Sequence, residues 1–168
     1  MNFDKLFELA TPYLEKNDFE VAHTKRVFNI AKQNLRLKTR LKELTFASIG
    51  LHDTGGNTLK DQYEKRPQIA PAILEALDCP NLFIEQVCQT ICIHHEPLGN
   101  PSETFNTLYD SDKLVMFSRE EYPNYDSRRA FDWNGIITLL YSKQDKQLAQ
   151  KSLVQRKEEQ TKVGTDVF

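Results

Sequence analysis

Long apolar runs are missing from this chain of 168 residues. No stretch approaches the ~18 consecutive apolar residues that a spanning helix needs, so no membrane partner is expected. A basic surplus is missing too. Lysine and arginine number 22 against 24 aspartates and glutamates, for a formal net charge of −2. That balance gives no support to a nucleic-acid partner. There are only 3 cysteines, Cys79, Cys88 and Cys92. An odd number makes no disulfide framework, and it points to a reducing, cytoplasmic compartment. The first eight residues, Met1 to Glu8, are too acidic and mixed for a signal peptide. Alternating runs of β-branched residues are absent as well, which leaves little material for a sheet.

What remains is apolar spacing of helical period, in a chain long enough for one domain with a real core. The expected fold is all-α, a bundle of six or seven helices over residues 1–141, followed by a polar C-terminal helix or tail over 142–168. The first helix is expected over Phe3–Lys16, with Pro12 as a possible kink, and Asn17-Asp18 as the break and cap before the second. The second runs over Phe19–Leu37, with His23 on the stripe of Ala22, Val27, Ile30, Ala31 and Leu35. The third spans Arg40–His52 and stops at Gly55-Gly56. Asn57–Asp61 reads as a loop. A fourth helix covers Pro67–Leu77, where Pro71 is hard to place. The fifth is Leu82–His95, the sixth Ser102–Ser118. Arg119–Arg129 reads as a solvated loop, with a lid of Arg119, Arg128, Arg129, Tyr122 and Tyr125 as the alternative. Trp133–Tyr141 closes the fold, with Phe131 and Trp133 as anchors.

Four polar sites interrupt this apolar pattern: His23, His52-Asp53, His94-His95 and Asp112. Each lies on, or at the end of, a face expected to be buried. An isolated ionisable group is costly there unless it is paired or bound to metal. Imidazoles and carboxylates together form the ligand set of a divalent transition metal. Cys88, Cys92 and His95 could also be read as zinc ligands, but cysteines in an apolar helix read more simply as small core residues.

The order of these sites resembles that of a known family. His23-Thr-Lys-Arg-Val, Leu51-His-Asp-Thr-Gly55, Ile93-His-His-Glu96 and Asp110-Ser-Asp-Lys-Leu114 are similar to the signature of the HD-domain metal-dependent phosphohydrolases. The likeness spans roughly Asp18 to Phe117. It implies an HD-domain, phosphodiesterase-like helical fold. It implies a divalent cation (Mn, Fe, Co, Ni, Zn or Mg) held by His23, His52, Asp53 and Asp112. Asp112 is preferred to Asp110, which reads as a helix-surface group or a support behind the ligands. It also implies a small phosphorylated substrate, with Asp53 orienting water and His94 or His95 protonating the leaving oxygen. Lys65 and Arg66 would offset charge on the transferred group.

This sequence departs from the family in three places. In the binuclear branch a histidine precedes a proline where Arg66 stands before Pro67, and arginine does not ligate a cation. It pairs with phosphate instead. A single metal is therefore expected, with a weaker second one on Asp53, His94 and His95 as the alternative. No Gly-Tyr-Pro follows His-His-Glu, and no acidic pair follows His-Asp-Thr-Gly-Gly56. Cyclic dinucleotides and the stringent-response alarmone are thereby demoted as substrates. The expected function is a phosphohydrolase acting on a nucleotide or similar small phosphate ester. The alternatives are a non-catalytic HD-like module that binds metal or nucleotide, and a phosphodiesterase with an incomplete second metal site.

Overall fold

A computed structural model describes residues 1–14, 18–34, 39–55 and 59–165. Among the described residues the chain is all-α, with no strand. The helices are α1 (Phe3–Leu14), α2 (Asp18–Asn34), α3 (Thr39–Leu51), α4 (Leu59–Glu75) and α5 (Asn81–Cys92), then α6 (Glu103–Val115), α7 (Tyr122–Asp126), α8 (Trp133–Leu139) and α9 (Lys143–Thr165). That exceeds the expected six or seven. The stretch read as a loop holds α7, and the C-terminal segment is a helix. Packing divides the chain into two compact units, Met1–Leu108 and Tyr109–Phe168.

In the first unit, α1 buries Leu6, Ala10 and Leu14, one side of a helix at four-residue spacing. Pro12 is accommodated inside it. α3 is the helix around which this unit is built: it packs against α1, α2 and α5. That explains why Ala47, Ser48, Ile49, Gly50 and Leu51 are buried in succession. Gly50 lets α1 come close, since a Cβ there would meet Leu6 Cδ2 at 2.9 Å. Phe3, Phe7, Phe28 and Phe46 add edge-to-face and tilted ring contacts that tie α1, α2 and α3 together, the closest being Phe28–Phe46 at 4.5 Å.

The fourth helix departs most from expectation. It starts at Leu59 rather than Pro67 and runs through both Pro67 and Pro71. Burial of Arg66, Ala70, Ile73 and Leu74 on one face supports it, and tertiary packing of that face outweighs the donors lost at the prolines. It stops in a Schellman motif: Cys79 N donates to Leu74 O at 3.1 Å and Asp78 N to Glu75 O at 3.0 Å. Asp78 takes the left-handed position there, with φ 54°, where glycine has no Cβ penalty. Asp78→Gly is therefore expected to stabilise the protein by about 0.5–1 kcal/mol. Urea titration checks this, and an unchanged midpoint would show that strain at Asp78 is offset locally.

The fifth helix ends at Cys92, with Ile93 as its C-cap. His94 and His95 lie in the turn that follows, not on the helix as expected. The cysteines are not core residues either. Cys88 is half-buried and Cys92 exposed, because the core face of α5 is set by Ile84, Val87 and Ile91. Gly56, Asn57, Leu35, Leu37 and Asn17, named in the sequence reading, lie outside the described residues.

In the second unit, α7 occupies the expected loop. Tyr122 is buried and stacks on Trp133 with a centroid separation of 4.7 Å and an interplanar angle of 16°. Trp133 Nε1 donates to Asp126 Oδ1 at 3.0 Å. The apolar anchoring expected of Trp133 thus recruits Tyr122 from the stretch read as solvated. Phe131 joins it, with ring centroids 4.7 Å apart. Arg119 is bonded to Glu159 rather than poised as a lid, Nη2 to Oε1 at 2.6 Å.

Asp110 is buried, not on the helix surface. Its two oxygens accept from Tyr141 N and Ser142 N, each at 2.8 Å, fastening the junction of α8 and α9. Burial pushes its carboxyl up to about 6 against these backbone donors, and neighbouring Asp145 adds to the rise. Burial raises Asp145 as well. The folded pair therefore keeps a proton that the unfolded chain releases near 3.8. Its contribution to stability is fullest below about pH 4, falls as pH rises to about 6, and stays lost above that. The loss is on the order of 2 kcal/mol. Asp145→Asn is expected to flatten this slope and to gain about 1 kcal/mol at pH 7. Denaturation of variant and wild type from pH 4 to 8 measures the difference. Parallel curves would refute the shared proton.

Candidate metal centre

Three segments of the first unit converge on Asp53. α2 brings His23 on its buried face. The turn after α3 brings His52 and Asp53. The turn after α5 brings His94. The His52-Asp53 turn is held open by its own sequence. Thr54 N and Thr54 Oγ1 both donate to the Leu51 carbonyl, at 3.2 and 2.8 Å. Gly55 then takes a φ of 118°, which favours glycine.

The rings are oriented by backbone. His52 Nδ1 lies 2.8 Å from the Ile49 carbonyl and His94 Nδ1 lies 2.6 Å from the Ile91 carbonyl. A carbonyl only accepts, so both Nδ1 atoms carry the hydrogen. That leaves Nε2 of each neutral ring as a lone-pair atom, and both point at Asp53. His52 Nε2 is 3.2 Å from Oδ2, and His94 Nε2 is 3.7 Å from Oδ1. His23 Nε2 stands 3.6 Å from Oδ2. Asp53 is only 13% exposed in its side chain, and His52 and His94 are fully buried.

Burial pushes the Asp53 carboxyl upward, but the imidazole of His52, then those of His94 and His23, outweigh it. The group is held far below the usual carboxylate range and stays ionised. A carboxylate facing lone pairs across 3.2–3.7 Å is repulsive unless positive charge lies between them. Either protons on the rings or a cation would supply it. Ligands of one tetrahedral cation, with bonds of about 2.05 Å, stand about 3.3 Å apart. His52, Asp53 and His94 each offer one atom within 4.8 Å of the others. The donor set and its spacing thus fit a divalent cation. Among the described residues, no such grouping includes Cys88 or Cys92.

Arg66, on the inward face of α4, is 3% exposed. Its Nη1 donates to the Ile91 carbonyl at 2.7 Å and lies 3.4 Å from His94 Nδ1. One carbonyl thus receives both the arginine and the histidine. His95 is half-buried with its ring centroid 3.7 Å from that of His94. Lys65 is exposed on α4. Asp112, on α6 and in the second unit, is buried, and its Oδ2 accepts from Lys113 Nζ at 2.9 Å.

The structure thus brings together His23, His52, Asp53 and His94, with Arg66 and His95 beside His94. What the sequence reading missed is the Ile49 and Ile91 carbonyls and the Thr54 hydroxyl. A carbonyl has no residue signature, and only a helix ending at the right turn reveals it. No family model matches the chain, and neither a curated protein nor a solved structure does.

Proposed function

We propose that the chain is a metal-dependent phosphohydrolase of HD type, acting on a nucleotide or similar small phosphate ester. The observation that carries the reading is the convergence of three Nε2 atoms on an ionised Asp53, two of them in rings whose hydrogen is fixed on Nδ1. His23, His52 and Asp53 would hold the cation, with His94 beside them. Asp112 is the further ligand that the sequence resemblance implies.

A bound divalent cation supplies Lewis acidity toward a phosphoryl oxygen and lowers the pKa of water. The chain supplies the rest. Asp53, kept ionised, orients the attacking water through whichever carboxylate oxygen remains open. The His52 and His94 rings are locked by their backbone carbonyls, so they do not have to reorganise as the reaction proceeds. His95 lies beside His94 with part of its ring open to solvent, and imidazole is the side chain best suited to deliver a proton to a leaving oxygen near neutral pH. Lys65, exposed on the neighbouring helix, would offset charge on the phosphate as an ammonium on a long stem.

The test is phosphate release from a panel of nucleotides and simple phosphate esters with Mn, Co, Ni, Zn and Mg. Metal-dependent turnover is expected. Protein shown to carry metal but inert on the whole panel would instead be a binding module.

A further inference from the structure

A cavity of about 400 Å³ opens in the first unit between the start of α3, one face of α5 and the segment leading into α6. The size falls within the ~300–1,000 Å³ of small-molecule sites. α5 divides its faces between this cavity and the core. Ile84, Val87 and Ile91 point to the core, while Gln86, Gln89 and Ile93 line the cavity. Ile93 is also the residue immediately before His94, so the cavity and the metal centre share one turn of backbone.

The lining has a definite chemistry. Leu44 and its neighbours make an apolar wall, and Gln86, Gln89 and Asn100 bring three carboxamides. None of those carboxamides makes a side-chain hydrogen bond to another described residue. Each offers two donor hydrogens and an acceptor oxygen. Among the described residues no lysine, arginine or histidine lines the cavity, and the charge they bring to it is the carboxylate of Glu103. Among those residues a phosphate would meet one anion and no cation. A neutral group with an apolar face and a donor–acceptor edge would meet complementary groups throughout.

We infer that this cavity takes the base of a nucleoside. The inference deepens the phosphohydrolase reading by giving the substrate's uncharged part a site of its own, beside the centre proposed for its phosphate.

Nucleosides test it, because they carry the base and no phosphate. Adenosine, guanosine, cytidine and uridine are titrated calorimetrically into the full chain, with and without metal, and into Gln86→Ala/Gln89→Ala. Both positions are at least partly exposed, and circular dichroism verifies that the variant is folded. At least one nucleoside is expected to bind wild type, and the variant is expected to bind about tenfold more weakly. If the chain turns over phosphate esters, the same variant raises KM for the nucleotide about tenfold and leaves kcat on a base-free ester unchanged. No nucleoside binding up to about 5 mM, or binding that the variant leaves intact, overturns the inference. Nucleoside binding by a protein with no turnover would sustain the cavity's role and sink only the hydrolase reading.

Discussion

Asp53→Ala is expected to lower metal-dependent phosphate release by roughly a thousandfold, about 4 kcal/mol of barrier. The Asp53 carboxylate is the anion on which the three imidazoles converge. Without it the rings remain, yet the charge that would draw a divalent cation to them is gone. The fold should survive, since the His52 and His94 rings are held by Ile49 and Ile91 and not by Asp53. Two readings separate loss of the centre from loss of the fold. Wild-type protein with metal at 100 times its dissociation constant should gain about 2.7 kcal/mol of stability. The variant should gain far less, while its metal-free melting temperature stays within a few degrees of wild type. Full metal-dependent turnover in the variant, or an undiminished metal-induced gain, would remove Asp53 from the centre.

Much of the fold was legible because it rests on repetition. The period of Leu6, Ala10 and Leu14, or of Ile84, Val87 and Ile91, recurs and identifies a helix even where a boundary is off by two residues. His23 and the His52-Asp53 pair were legible for the same reason: ionisable groups in an apolar pattern need a partner. What escaped depends on single events. Pro67 looks like a start because its missing donor is harmless there. In fact the buried face through Arg66, Ala70, Ile73 and Leu74 carries the helix past it. Likewise the stretch around Tyr122 reads as solvated, since nothing local shows that its ring will stack on Trp133. The ends of α3 and α5 decide which carbonyl each histidine meets, and helix ends are the least determined feature of a pattern.

Arg66 is where these points meet. As a residue ahead of a helix it would face a phosphate. Inside α4 its guanidinium is directed at the Ile91 carbonyl, the same atom that fixes the hydrogen of His94 on Nδ1. Arg66→Met keeps the length and apolar stem of the side chain but removes the donor. It is expected to cost about 2–3 kcal/mol of stability, because a buried carbonyl loses a charge-assisted bond. It is also expected to weaken metal binding about tenfold, the low end of what support behind a ligand is worth. The weakening follows because the Arg66 guanidinium, 3.4 Å from His94 Nδ1, no longer confines that ring from the α4 side, and the Ile91 carbonyl is left to hold it. Urea denaturation of chelated protein and a metal titration measure the two effects separately. A phosphate-contacting arginine gives the opposite pattern: metal affinity unchanged, stability little altered, and KM for the phosphate ester raised alone. With Arg66 at 3% exposure and its Nη1 2.7 Å from a main-chain oxygen, the first pattern is the expected one.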